Sequence, residues 1–250
     1  MTKSEASSQQ ARPLYDDAFF NSTTPGSLAA AKVIVPLLVE FVDPRGVVDV
    51  GCGRGAWLKV FAENGVDRLC GIDGSRGDFT FFSERIRFVE ANLETDFIIP
   101  GVYDLAVCVE VAEHLPATRS RYLVERLTAA APLIAFSAAI PSQGGLGHIN
   151  EQWPSYWCNL FDELGFKPVD PIRPLIRNDT SVPWWYRQNL MLFGTPDALA
   201  GNSKLASVPV CSEFEWVHVK ILQSLMQSRS WRLTARLRRF ITRLRALHHP

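Results

Sequence analysis

With 250 residues, 47% hydrophobic and 21% charged, the chain has the profile of one α/β-sized domain or of one domain with an appendage. That balance excludes a disulfide-stapled miniprotein and a disordered chain, and with Lys+Arg and Asp+Glu equal at 26 each it excludes whole-chain electrostatic attraction to nucleic acid or membrane. Cys52, Cys70, Cys108, Cys158 and Cys211 are scattered and form no C-x-x-C pair, which argues against a disulfide framework or a cysteine zinc site and for a reducing, cytoplasmic setting.

In chain order, residues 1–25 are polar, lack the apolar core of a secretory signal and predict a flexible arm. Leu28 to Phe41 predicts a helix with Pro36 as a kink, ended by Asp43, Pro44, Arg45 and Gly46. Strands are then expected at Val47 to Val50, Leu69 to Ile72, Ile86 to Val89, Leu105 to Val109, Leu133 to Ser137 and Leu190 to Phe193. Helices are expected at Ala56 to Glu63, Arg119 to Ala130 and Ser155 to Leu164. The strand runs are short, rich in Val, Ile and Leu, and unalternated, as in a parallel sheet buried on both faces. The longest uncharged stretch, residues 127–150, is cut by Pro132 and Pro141 and falls short of the ~20 apolar residues of a spanning helix, so no segment is expected to cross a membrane. The expected fold is α/β, a Rossmann-like doubly wound sheet that binds ligands beyond the carboxyl ends of its strands. Its domain is expected at 26–200, followed by a linker and a helical tail at 201–250.

The first predicted strand runs into Gly51, Cys52, Gly53, Arg54 and Gly55, a turn whose glycines let backbone approach a ligand and whose following helix offers free N–H groups. Asp73 ends the next strand, where a carboxylate can accept from two ribose hydroxyls. Together they point to an adenosine-type ligand. Gly51, Gly53 and Ala56 alone also fit the dinucleotide fingerprint of a nicotinamide oxidoreductase, or a plain tight turn.

The segment Val47 to Gly55, with Asp49 two positions before the first glycine, resembles motif I of the class I S-adenosylmethionine (SAM)-dependent methyltransferases. Asp104, Leu105, Glu110, Glu113, His114, Leu115 and Pro116 stand as in that superfamily's fourth-strand motif, D-L-x-x-x-x-E-V-x-E-H-L-P. The resemblance covers about residues 28–195 and includes a final apolar strand of the kind that inserts antiparallel in these enzymes. It implies a mostly parallel seven-stranded sheet, SAM as cofactor and methyl transfer. It further implies cofactor contacts from Asp49, Gly51, Cys52, Gly53 and Gly55, a ribose contact from Asp73, adenine-side contacts from Asn92 and Leu93 where the family usually carries Asp, and Glu110 beside the methionine moiety.

Methyl transfer to a hydroxyl calls for alignment and a base, and histidine, with a reference pKa of ~6.5, is the first candidate. Of His114, His148, His218, His248 and His249, the last three lie in the tail. His148 occupies a glycine-rich loop after the fifth predicted strand and is expected to be the base or an orienting group, with a structural or metal-ligand role as the alternatives. His114 either faces the acceptor or is structural. Asn150, Glu151, Gln152 and Trp153, with Trp185, Tyr186 and Arg187 of a second aromatic block, are expected to bind the acceptor. The two blocks resemble methyltransferases of bacterial glycan assembly, implying a saccharide or glycoconjugate hydroxyl. Glu110, Glu113, His114 and His148 also resemble the metal-binding set of methyltransferases acting on small-RNA 3′ ends, an alternative implying a metal-dependent RNA 2′-O-methyltransferase. The acidic body disfavours RNA, and no metal is assigned. A catalytically silent SAM-binding scaffold recruited through the tail is the remaining alternative.

Of the 26 Lys and Arg, eight fall in residues 216–250 and none of the 26 acids does, so the first 215 residues carry a formal −8 and the last 35 carry +8. Leu233, Leu237, Phe240, Ile241 and Leu244 recur at helical spacing beside Arg232, Arg236, Arg239 and Arg243. A basic amphipathic helix is expected there, packed on its own domain or attached to a partner or to an anionic membrane surface. The second case would place a cytoplasmic protein on the inner face of the membrane.

Overall fold

The unalternated apolar runs build a single sheet in the order β3-β2-β1-β4-β5-β7-β6. In this computed structural model the described residues are 17–74, 85–212, 216–235, 237–239 and 241. Helix α1 (Asp17–Val42) leads into β1 (Gly46–Val50), α2 (Ala56–Glu63), β2 (Arg68–Asp73), β3 (Ile86–Glu90) and β4 (Leu105–Val109). There follow α3 (Ser120–Ala130), β5 (Leu133–Ser137), α4 (Pro154–Glu163), β6 (Lys167–Val169), α5 (Arg173–Ile176), α6 (Trp184–Asn189) and β7 (Met191–Gly194). Three helices close the described chain: α7 (Pro196–Gly201), α8 (Val219–Gln227) and α9 (Arg229–Leu233). Only β7 runs antiparallel, between β5 and β6. The chain winds outward from β1 through β2 to β3 and restarts at β4 on the other side of β1, which puts the reversal of strand order, and hence the ligand crevice, at β1 and β4.

Alternation along each strand feeds two apolar layers. Val47 of β1 and Leu105 and Val107 of β4 pack with Ala30, Ile34 and Leu38 of α1 and Leu58 and Phe61 of α2. Val48, Val50, Ala106 and Cys108 face Leu123 and Leu127 of α3 and Trp157 and Phe161 of α4. Asp49 shares the α1 and α2 side with Val47 and is buried at the end of β1.

Several expectations need correction. The arm assigned to residues 1–25 is helical from Asp17, because Phe20 packs on the turn after β1, Ser27 accepts from Trp57 of α2 and Phe19 meets His114 beyond β4; residues 1–16 lie outside the described residues. Helix α1 is also long and apolar enough by composition to span a bilayer, a candidate the sequence reading missed by starting the helix at Leu28. Its Ala30, Ala31, Ile34, Val35 and Leu38 are fully buried in the first layer, as in a core helix. The seventh strand, β6, was not located in the sequence because it is only Lys167, Pro168 and Val169. Proline is tolerated there since β6 is an edge strand that pairs along its length with β7 alone.

The segment expected to be a linker covers that edge. Asn202 donates through Nδ2 to Phe41 O at 2.9 Å, Leu205 is buried, Val210 bridges Val169, and Cys211 N donates to Pro168 O at 2.8 Å. The tail is not one helix: Ser228 ends α8 and caps α9 through its Oγ. Arg236, Phe240, Arg243 and Leu244, which the sequence assigned to the helix, lie outside the described residues.

One buried cation ties α5 to α6. Fully buried Arg173 donates through Nε to Asp170 Oδ2 at 2.9 Å and through Nη1 to the Gln188 carbonyl at 3.0 Å, beneath the Trp216 ring. Arg173→Ala strands Asp170 and that carbonyl, and a loss of about 3–5 kcal/mol in urea unfolding is expected. A loss below about 1 kcal/mol would show the pair to be dispensable.

Candidate active site

The loops leaving β1, β4 and β5 enclose a cavity of about 470 Å³. Its glycine turn is held tightly. Gly51 N and Cys52 N both donate to Ile72 O, at 2.8 and 3.1 Å, and Gly53 N donates to Asp73 Oδ2 at 2.8 Å. Gly51 has φ +78°, and a Cβ there would fall 2.4 Å from Val111 Cγ2, so only glycine lets the turn lie against the chain leaving β4. Gly55 caps α2 behind the turn.

The start of α1 forms a wall. Phe20 lies 3.3 Å from where a Cβ on Gly53 would stand, Arg54 covers the Phe20 ring and donates to Asn21 Oδ1 at 2.8 Å, and Phe19 meets the His114 ring edge-on. Trp57, Trp184, Trp185 and Tyr186 supply aromatic surface elsewhere in the lining.

Three acids line the floor: Asp49, Glu110 and Glu113. Burial, then the Asp73 carboxylate, holds the Asp49 carboxyl up to about 8. Glu110 leaves β4 with φ +54°, an uncommon conformation for a non-glycine residue. Its two oxygens accept from Asn189 Nδ2 and Gln143 Nε2, each at 3.1 Å, while burial raises its pKa. Glu113 is fully buried beside Glu110, and burial, then the Glu110 charge, pushes its pKa well up. Its backbone carbonyl accepts from Ile149 N and Asn150 N at 2.9 and 3.0 Å, which pins the loop that carries His148.

The His114 and His148 rings meet edge-to-face with centroids 4.9 Å apart. Burial, then the neighbouring His148, lowers the His114 pKa to about 4, so its ring is neutral near pH 7. His148 Nδ1 lies 3.1 Å from Glu151 Oε1, and Glu151 also accepts from Ser142 N and Gly144 N at 2.8 and 2.7 Å. A Cβ on Gly145 would fall 2.2 Å from His148 Nε2, so the ring's place depends on glycine there. Glu113, His114 and His148 each offer a ligand atom, all within 4.8 Å of one another.

Of the residues expected at the site, the cavity lining includes Asp49, Gly51, Cys52, Gly53, Glu110, His114, His148, Trp185 and Tyr186. Others are placed away from it. Asp73 braces the glycine turn. Asn92 is exposed and its Oδ1 accepts from Glu94 N at 2.9 Å, while Leu93 is buried in the second layer, and neither is in the cavity lining. Asn150 is buried and donates to Ser120 Oγ at 3.0 Å, Gln152 donates to Asn150 Oδ1 at 2.9 Å, and neither lines the cavity. Trp153 caps α4, Glu151 acts through His148, and Arg187 turns to the Arg177 carbonyl at 3.0 Å. Sequence reasoning missed Phe19, Phe20 and Gln143 as lining residues, and named Glu113 only in the metal-binding alternative. Gln143 follows β5 and was open to the strand-end rule; Phe20 and Phe19 carry no local signal of their contacts with the glycine turn and with His114.

The sheet order, the antiparallel β7 and the glycine turn beside β4 define a class I methyltransferase fold. Residues 27–132 match a family described as Methyltransferase domain. A 99-residue stretch is 30% identical to a ubiquinone biosynthesis O-methyltransferase of Pseudomonas paraeruginosa, covering 33% of this chain and 41% of that one. The corresponding protein of Methylococcus capsulatus is 31% identical over 107 residues, with 36% and 44% covered. The match thus spans less than half the length of these curated relatives, whose names point to ubiquinone rather than glycan biosynthesis. Among solved structures, a magnesium protoporphyrin IX methyltransferase from Synechocystis with bound SAH aligns with TM-score 0.53 at 17% identity, covering 73% of this chain and 91% of that one. An O-methyltransferase family protein from Burkholderia thailandensis aligns with TM-score 0.55 at 14% identity, covering 72% and 58%. The chain thus has the fold of the class I, SAM-dependent methyltransferases, and its residues 27–132 are similar to a methyltransferase domain. Its own residues fit that cofactor, because buried acids under aromatic walls favour a ligand bearing a sulfonium and an ammonium.

The raised Asp49 pKa has a consequence for stability. Between the ordinary value of 3.8 and about 8 the unfolded chain has lost this proton and the folded chain keeps it, so the contribution is fully present below 3.8 and lost as pH rises toward 8. Asp49→Asn removes the dependence. The variant's Tm is expected to exceed that of the parent near pH 8 by more than it does near pH 4, and a difference independent of pH would contradict this account.

Proposed function

We propose that the chain transfers the methyl group of SAM to a hydroxyl oxygen, with a saccharide or glycoconjugate as acceptor. The observation that carries the reading is the His148–Glu151 pair, whose imidazole lines the same cavity as the glycine turn. When bound, the cofactor supplies an electrophilic methyl on a sulfonium. Gly51, Gly53 and Asp49 bind and orient it, and the side chains of Trp57 and Tyr186 exclude water from that side. Glu151 accepts from Nδ1–H of His148, leaving Nε2 to take the hydroxyl proton as the acceptor oxygen bonds to carbon and the carbon–sulfur pair returns to sulfur. The relatives named as O-methyltransferases support the oxygen acceptor. Trp184 and Trp185, with surface for stacking on a sugar face, and the Gln143 side chain support the polyhydroxyl class.

His148→Gln and Gly145→Ala are expected to lower kcat by ~10²–10⁴-fold against a panel of glycan acceptors while leaving SAM affinity within about threefold. Unchanged turnover in both variants would remove His148 from the mechanism.

One observation favours a second reading. The clustered ligand atoms of Glu113, His114 and His148 suit a divalent cation, which would polarise the acceptor hydroxyl in place of a base. Complete loss of turnover on chelation, restored by Mg²⁺ or Mn²⁺, would select this reading over the proton-transfer one.

A further inference from the structure

The methyltransferase reading leaves residues 216–250 without a role. Leu222, Leu225 and Met226 of α8 follow i, i+3, i+4 spacing and are each about half exposed. Leu233, Leu237 and Ile241 follow i, i+4, i+8 spacing, and Leu233 is 83% exposed. Of the apolar side chains of α8, Ile221 alone is buried. The charged groups of these helices are exclusively cationic: Lys220, Arg229, Arg232, Arg238 and Arg239. Monomer surfaces rarely leave so many large apolar side chains in water without a partner.

We infer that α8, α9 and the described residues after them, as far as Ile241, lie on an anionic phospholipid surface. An acidic protein face would satisfy the cations and leave the leucines in water. A bilayer interface meets both needs: apolar side chains enter the headgroup–acyl boundary while the arginine stems run along it and their head groups reach the phosphates. The break at Ser228 divides the segment into two short amphipathic pieces, each able to settle independently into a surface plane. The body carries −8, so attraction to anionic lipid is confined to this end of the chain and fixes how the molecule sits. The root of the segment is joined to the cavity wall. His218 N donates to Gln188 Oε1 at 2.6 Å, and its ring packs against Trp184, a cavity residue. Surface attachment therefore holds the Trp184 side of the cavity near the interface, independently of which acceptor is methylated.

Co-sedimentation of the full chain with phosphatidylcholine vesicles, with and without phosphatidylglycerol, tests this. Binding is expected only with the anionic lipid and is expected to fall with added salt. Arg232→Glu with Arg239→Glu should weaken it at least ~25-fold, since each cation at such a surface is worth about fivefold. Leu233→Ser with Leu237→Ser should weaken it at constant charge. Circular dichroism and SAM affinity, which these positions do not touch, report that each variant is folded. Equal recovery on neutral and anionic vesicles, no response to either double substitution, or a variant-sensitive dimer without vesicle binding would overturn the inference, the last by making a second copy the occupant.

Discussion

The burial of three carboxyl groups at the carboxyl ends of β1 and β4 governs the rest of this structure. Asp49, Glu110 and Glu113 occupy the floor of one cavity, and an ionised carboxylate without compensation is costly in such surroundings. Burial, with a neighbouring negative charge for Asp49 and Glu113, raises the pKa of all three, and for Asp49, held up to about 8, protonation relieves the cost in the absence of a cation. The surrounding construction follows. Asn189 and Gln143 hold Glu110, Gln188 bridges those two amides, and buried Arg173 fixes the Gln188 carbonyl from below. Glycines 51 and 145 keep backbone close to Val111 and His148 where any side chain would intrude.

Electrostatics thus divides labour within the cavity. In the proposed reaction the acids answer positive charge on the cofactor, and the paired imidazoles serve an acceptor that must lose a proton. The low pKa of His114 keeps that ring neutral beside His148 and spares the pair mutual repulsion. Glu151, exposed enough to be solvated and held by two backbone N–H groups, fixes the orientation of His148 from outside the lining.

Much of this was legible in the sequence. The strands β1, β4 and β5 announce themselves as uninterrupted apolar runs, and the glycine turn with Asp49 and the later Glu110 places the site. What was not legible depended on tertiary context. Residues 17–25 read as a polar arm because Phe20 and Phe19 find their partners, the glycine turn and His114, only in the folded chain. Strand β6 was invisible because Pro168 and a three-residue length suit only a covered edge. Asn150 looked like a sugar ligand, since an exposed and a buried amide have the same letter in a sequence. Likewise Trp184 to Asn189 form a helix whose far side, not its tryptophans alone, builds the floor of the site.

The central claim is that buried Asp49 keeps its proton until a cationic cofactor enters the cavity. Calorimetric titration of SAM near pH 7.5, in two buffers of different ionisation enthalpy, measures the protons exchanged on binding. The account predicts net proton release for SAM, and less for S-adenosylhomocysteine, whose sulfur is uncharged, because the arriving cation lowers the raised pKa of Asp49. Binding with no proton release, or equal release for the two ligands, would contradict it.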